Sequence, residues 1–470
     1  MPTYDVVIIG AGAVAENVAD RAVQGGLTAV LIESELVGGE CSYWACMPSK
    51  ALIRSGLALR AAQRVGGAKE AVTGDLDVNA VFARRNGFTH DWDDSSQVDW
   101  VHGAGIELVR GHGRITAERE VTVTADDGTT TVLTATHAVV VSTGSDPLLP
   151  DIPGLKESAP WTPREATSAQ VAPASLAIIG GGVVAVEMAT AYASFGTTVT
   201  IFARSGLLQG QEDFAGDMVS QGLRELGVEI RKSAPTKVER SEDGVAVWVD
   251  DDVVIAAQVL VATGRVPRTS DIGLEVAGLK PGDWIEVDDT LRVPGSDWLY
   301  ATGDVNHRAL LTHQGKYQAR AAGDVIAVRA AGGTVDDAPW GTHVATADHA
   351  AVPQVTFSEP EVASAGLTSE AAKKAGYDIR VVDYDLGWVA GASLQADGYA
   401  GKARMVVDEK RKVILGVTFV GQDVSELIHA ATVAIVGEIP LDRLWHVVPA
   451  YPTMNEIWLR LLETYGRPGS

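Results

Sequence analysis

Two residues in this chain carry redox-competent sulfur. Cys41 and Cys46 are the only cysteines, and four residues separate them in the stretch GGECSYWACMPSK, Gly38 to Lys50. So few cysteines cannot staple a chain of 470 residues, so the pair is read as chemistry rather than as framework. Residues five apart in a regular helix rise by roughly 7.5 Å, whereas a disulfide holds its Cα atoms about 4.4–6.8 Å apart. A bridge here requires a distorted first turn, and strained bridges are the easily reduced kind. Gly38, Gly39 and Pro48 suit a tight loop entering a helix that continues through Ala51–Gln63. A helix start favours a thiolate through its unpaired N–H groups and dipole.

The elements that must position the pair lie on either side of it. Asp5–Ile9 is an apolar run ending in Gly10-Ala11-Gly12-Ala13-Val14-Ala15, with a helix to about Gln24 and a strand at Thr28–Ile32. Glu33 stands 21 residues after Gly12. This is a dinucleotide fingerprint: Gly10 permits the turn, Gly12 lets the backbone approach a pyrophosphate, Ala15 lets helix and strand pack closely, and Glu33 accepts from ribose hydroxyls. The pattern repeats at an offset of 170 residues: Ser175–Ile179 leads into Gly180-Gly181-Gly182-Val183-Val184-Ala185, then a helix and the strand Thr197–Phe202. Counting 21 from Gly182 reaches Ala203, followed by Arg204. Loss of the acid with an arginine beside it suits a nicotinamide bearing a 2′-phosphate.

The stretch around the cysteines closely resembles the active site of the pyridine-nucleotide disulfide oxidoreductases, the family of dihydrolipoamide dehydrogenase, glutathione reductase and mercuric reductase. GGECSYWACMPSK matches the signature GG-x-C-x4-C-x-P-[ST]-K at every fixed position. The resemblance covers essentially the whole chain and implies an α/β protein with two Rossmann-like domains, for FAD and NAD(P), and a C-terminal α+β dimerisation domain. The implied boundaries are 1–150 and 273–345 for the FAD-binding part, 151–272 for the NAD(P)H domain and 346–470 for the interface domain. Cys46 is then the thiol beside the flavin and Cys41 the outer thiol that attacks a substrate. Lys50 is expected to meet Glu187 near the flavin. Gly39, Gly113, Thr143, Gly144, Asp304, Leu311, Thr312 and His313 join Gly10, Gly12, Ala15 and Glu33 as FAD contacts. Gly180, Gly182, Ala185, Arg204 and Gly264 are assigned to the nicotinamide nucleotide. NADPH-using members usually carry a second arginine six residues after the first, where this chain has Gly210. NADPH is therefore preferred, with NADH as the alternative.

One departure narrows the chemistry. The family's last motif, H-P-T-x-x-E, places a histidine as acid–base partner of the outer thiol, reaching across from the other subunit of a homodimer. Here Tyr451-Pro452-Thr453-Met454-Asn455-Glu456 occupies it, with the glutamate kept. A tyrosine with a pKa near 10 is ionised to about one part in a thousand at neutral pH, a penalty of roughly 4 kcal/mol for use as a base. His446, five residues upstream, is the alternative base. Dihydrolipoamide oxidation and glutathione reduction both lean on the missing histidine and are disfavoured. Mercuric reductases also need a C-terminal cysteine pair, and this chain ends in GRPGS. Soluble transhydrogenases carry a similar Tyr-Pro-Thr-Met-x-Glu segment without the intact cysteine pair. Transfer from flavin directly to a quinone, a dye or another nicotinamide is the alternative function.

Composition sets the outer bounds. A formal charge of −23 argues against nucleic acid and anionic membrane as partners. No apolar run reaches the length of a membrane span, and no basic-then-apolar leader opens the chain, so a cytoplasmic enzyme with a small-molecule acceptor is expected. No metal site is expected. Residues 66–109 are polar and resolve into no periodic pattern, and alternation in Arg119–Val132 predicts a small sheet.

Overall fold

The computed structural model describes residues 1–467; the last residues of the expected interface domain, 468–470, lie outside them. The chain forms two compact units. One comprises Met1–Pro48, Asn86–Leu148 and Arg265–Asp348; the other comprises Ser49–Arg85, Leu149–Gly264 and the chain from His349 onward.

In the first unit the strand Thr3–Ile9 lies at the centre of a seven-stranded sheet. Ala29–Glu33 and Thr130–Val141 flank it in parallel, and Glu107–Arg110 lies beyond Ala29–Glu33. The run Val6–Ile9 is uninterrupted because both faces are covered. Val6 and Ile8 pack with Val18, Ala22 and Val325 on one side, while Val7 and Ile9 pack with Ile115, Leu274 and Val305 on the other. The predicted small sheet is an antiparallel extension of this large one: His112–Ala117, Glu120–Thr124 and Thr130–Val141 pair in sequence, and the long last strand reaches back to the centre. The unpatterned stretch holds two short helices, Val78–Phe88 and Ser95–Gly103, with few buried residues to give them a period.

The second unit repeats the motif. Strands Glu229–Arg231, Thr198–Phe202, Ser175–Ile179 and Gln258–Val261 run parallel in that order. Leu176 and Ile178 meet the helix Val183–Ser194 through Ala185, Met188 and Ala189. Ala177 and Ile179 meet a three-stranded meander over residues 237–256 through Val238, Val245 and Val247. From Pro353 a five-stranded antiparallel sheet follows, with the hairpin Lys402–Asp408 and Val413–Gly421 at its heart. After that sheet come a 3₁₀ turn, Ser425–Leu427, and an α-helix, Ile428–Val436.

Candidate active site

The cysteines stand on two helices rather than one. Cys41 belongs to a five-residue helix, Gly39–Tyr43, and Cys46 opens the long helix Cys46–Gln63. The break at Trp44–Ala45 supplies the distortion that the spacing demanded. Gly38 and Gly39 are both left-handed (φ 106° and 59°). A Cβ on Gly39 would stand 2.9 Å from the Gly12 Cα, so only glycine permits this approach to the fingerprint loop. The Gly38 N–H donates to the Ala11 carbonyl at 2.8 Å, stitching the two loops together.

Neither cysteine is in a disulfide, and the Cys46 sulfur lies 3.2 Å from the Thr312 hydroxyl. The helix-start argument holds for Cys46 by position but not for Cys41. A hydrogen bond to Cys46, and then burial, push the Cys41 thiol well up, while Thr312 and Lys316 pull weakly the other way. That hydrogen bond, in which the Cys41 S–H donates to Cys46, favours the protonated form of Cys41.

Three contacts that no spacing foretold brace this segment. The Trp92 indole donates to the Tyr43 carbonyl at 3.2 Å, and the Arg268 guanidinium joins Glu40 (3.1 Å) to Asp146. Trp92 ends a turn in which His90, Asp91 and Trp92 are all left-handed, a conformation disfavoured for residues with a Cβ.

The fingerprint loop fits a dinucleotide. Helix Ala15–Gln24 starts without a side-chain cap, so no side chain occupies the helix start, where an anion is favoured. A Cβ on Gly10 would strike the Ser142 carbonyl at 2.5 Å. Glu33 accepts from the N–H groups of Ala11 (2.8 Å) and Glu35 (2.7 Å), and burial raises its pKa. Gly113 is buried against Ile9 and Ile32, and the Thr143 hydroxyl donates to the Arg268 carbonyl at 2.7 Å, with left-handed Gly144 next. Asp304 accepts from Ser145 (2.6 Å) and lies 3.6 Å from Arg265. Leu311 precedes the helix Thr312–Ala330, and His313 is exposed on its first turn.

In the second unit the Lys50 ammonium meets the Glu187 carboxylate at 2.7 Å, as expected. Glu187 is only 3% exposed, and its other oxygen accepts from the Phe357 N–H at 3.0 Å. Gly180 is left-handed, with the Ala262 carbonyl 2.2 Å from any Cβ, and the helix after Gly182 has no side-chain cap. Ala185 is buried in that helix, and Gly264, φ 145°, follows the strand Gln258–Val261. Arg204 is exposed and makes no hydrogen bond or ion pair among the described residues. Tyr451 is 76% exposed. Glu456 is 5% exposed; one carboxylate oxygen has no hydrogen-bond partner and the other lies 3.7 Å from Arg460. His446 is exposed and its ring makes no hydrogen bond among the described residues.

Residues 4–324 match the family described as pyridine nucleotide-disulphide oxidoreductase, and residues 352–461 match its dimerisation domain. The chain belongs to this family. Mercuric reductase from Staphylococcus aureus is 29% identical over 96% of this chain and 81% of its own length. Dihydrolipoyl dehydrogenase from Chlamydia pneumoniae is 30% identical over 97% and 95%. The HOCl-induced flavoprotein disulfide reductase RclA from Escherichia coli shares the fold at a TM-score of 0.82, with 24% identity over 98% of this chain and 99% of its own. The enzyme is thus an FAD-dependent oxidoreductase that uses NAD(P)(H) and acts on sulfur-containing donors or acceptors, and its dimerisation domain supports a homodimer. No helix among the described residues is long and apolar enough to cross a membrane.

Proposed function

We propose that this chain takes electrons from NAD(P)H, through FAD, onto the Cys41–Cys46 disulfide and passes them to a disulfide or related small acceptor. The observation that carries this reading is the adjacent thiol pair, with Cys46 against Thr312 and Cys41 hydrogen-bonded to Cys46. FAD, when bound, supplies the exchange of an electron pair between nicotinamide and sulfur. Lys50, fixed by Glu187, serves as a constant cation for that exchange. The Cys41 sulfur, on losing its proton, attacks a sulfur of the acceptor; the acceptor's S–S bond breaks and its leaving thiolate takes a proton from solvent. Cys46 thiolate then attacks the Cys41 sulfur, which restores the Cys41–Cys46 disulfide and releases the second thiolate. Tyr451 and Glu456 of one protomer complete the site of its partner. Residues 1–150 and 273–345 are assigned to FAD, 151–272 to the nicotinamide nucleotide and 346–470 to the interface. Such thiol chemistry suits the cytoplasm.

Dithionite titration of the purified holoenzyme should consume more electrons per FAD than the flavin alone accepts, because the disulfide takes a further pair. Uptake limited to the flavin's own electrons would refute the redox role of the cysteines. The exposed Tyr451, a poor base, favours a second reading, in which electrons pass directly to a quinone, a dye or another nicotinamide.

NADPH is the preferred donor in this reading, because Arg204 is exposed beside Ala203, which stands where the fingerprint's acid would be. A charge-assisted hydrogen bond to a phosphate is worth about 1.5–3 kcal/mol, so Arg204→Ala should raise the KM for NADPH by about tenfold or more and leave NADH nearly unchanged. Equal effects on both nucleotides in steady-state assays would return Arg204 to a solvated loop.

A further inference from the structure

The first unit holds a cavity of about 140 Å³ whose lining includes Arg119, His137, Asp297, Tyr300 and Arg329. None of these has a part in the function proposed above. Helix Thr312–Ala330 starts beside Cys46 and ends at this cavity, and roughly 25 Å of helical rise separates Thr312 from Arg329. On the sheet side the cavity borders Thr136–Ala138, and Ala138 is level with Val6. The fingerprint loop and Ser142-Thr143-Gly144 leave from the other ends of those strands, after Ile9 and Val141. A dinucleotide crevice forms outside the carboxyl ends of such strands, so this cavity is a separate site.

Its polar groups are donors with too few acceptors. Arg329 donates to the Tyr300 hydroxyl at 2.7 Å and to the Thr290 hydroxyl at 3.1 Å, both neutral, and makes no ion pair among the described residues. Its guanidinium also lies 5.7 Å from the centre of the Tyr300 ring. Tyr300 is 2% exposed, and its own hydroxyl proton meets no acceptor among the described residues. Arg119 pairs with Glu118 and with the exposed Asp297 (3.1 Å), yet its Nε–H is buried without a partner. It holds this place from a left-handed backbone (φ 58°) in the turn between His112–Ala117 and Glu120–Thr124, a conformation disfavoured for a residue with a Cβ. The His137 ring stands 3.8 Å from Asp5 and makes no hydrogen bond among the described residues. Two guanidinium groups thus face one carboxylate, in a chain whose formal charge is −23. The helix end favours a cation at Arg329, but that leaves the Arg119 Nε–H and the Tyr300 proton unmatched. Water satisfies single donors and leaves the excess charge in place.

We propose that this cavity binds a tetrahedral oxyanion of the phosphate type, with Arg119 and Arg329 supplying the charge and Tyr300 and His137 further hydrogen bonds. Guanidinium groups match phosphate oxygens in both charge and geometry. Pockets for drug-sized ligands run to about 300–1,000 Å³. The smaller volume here suits free phosphate or the terminal phosphate of a small ester and excludes a whole nucleotide. The site stands whether or not the cysteine pair is redox-active.

The test is calorimetric titration of the Arg204→Ala holoenzyme with inorganic phosphate at constant ionic strength, with chloride as the control. Bound FAD fills its own pyrophosphate site, and Arg204→Ala removes the phosphate site proposed for NADPH. Phosphate should bind and chloride should not. Arg119→Gln and Arg329→Gln, each added to that background, should each weaken phosphate about tenfold or more. FAD content and melting temperature show whether each variant is folded, and either folded variant suffices for the comparison. Glycerol 1-phosphate that binds as tightly as phosphate assigns the site to the end group of an ester, and binding of phosphate alone assigns it to the free ion; both support the site. Phosphate that fails to bind, or that binds the folded variants as tightly as their parent, would overturn it.

Discussion

Cys41→Ser should abolish reduction of low-molecular-weight disulfides while quinone or dye reduction by the same preparation continues. Serine keeps the size and the hydrogen bond but not the nucleophile, so disulfide turnover should fall by on the order of 10³-fold or more. The neighbouring Cys46, against Thr312, remains in place, so the variant changes the outgoing step and leaves the flavin side intact. Parallel loss of quinone reduction would mean that every acceptor is reached through Cys41. Undiminished disulfide reduction would remove the thiol pair from the mechanism.

The second large effect is a gain. Tyr451→His places an imidazole, with its ordinary pKa near 6.5, where the chain has an exposed phenol, and Glu456 already offers a buried carboxylate oxygen with nothing bonded to it. A carboxylate that accepts from one imidazole nitrogen fixes the tautomer and orientation of the other. General bases contribute about 10²–10⁴-fold, so lipoamide or glutathione-disulfide turnover at neutral pH should rise at least about tenfold, with quinone reduction changed far less. The wild-type disulfide rate should climb with alkalinity, because the Cys41 thiol is pushed up by its bond to Cys46 and by burial. Brisk wild-type turnover of lipoamide at pH 7 would refute this account and turn attention to His446.

What the sequence made legible was local. The fingerprints declare themselves because an apolar strand, a glycine turn and a helix follow one another within a few residues, and the first glycine of each, Gly10 and Gly180, proves sterically required. Lys50 and Glu187 lie 137 residues apart, and only resemblance, not periodicity, could pair them. The break between Tyr43 and Cys46 carries no proline or glycine to announce it. The left-handed turn at His90–Trp92 also lacks glycine, the usual signal for positive φ. Phe357 enters the site through its backbone N–H, a group every residue but proline possesses. Arg268 and Glu40 could be paired only after the fold had brought them together.

The unsatisfied oxygen of Glu456 has a meaning for mutation as well as for catalysis. Every tyrosine codon becomes a histidine codon by changing its first base, so the acid–base form of this enzyme is a neighbour in sequence space. The carboxylate expected to orient that imidazole has one oxygen buried without a hydrogen-bond partner. A population under pressure to reduce disulfides at neutral pH could reach that activity without a second substitution, which makes position 451 the place to look first among spontaneous gain-of-function variants.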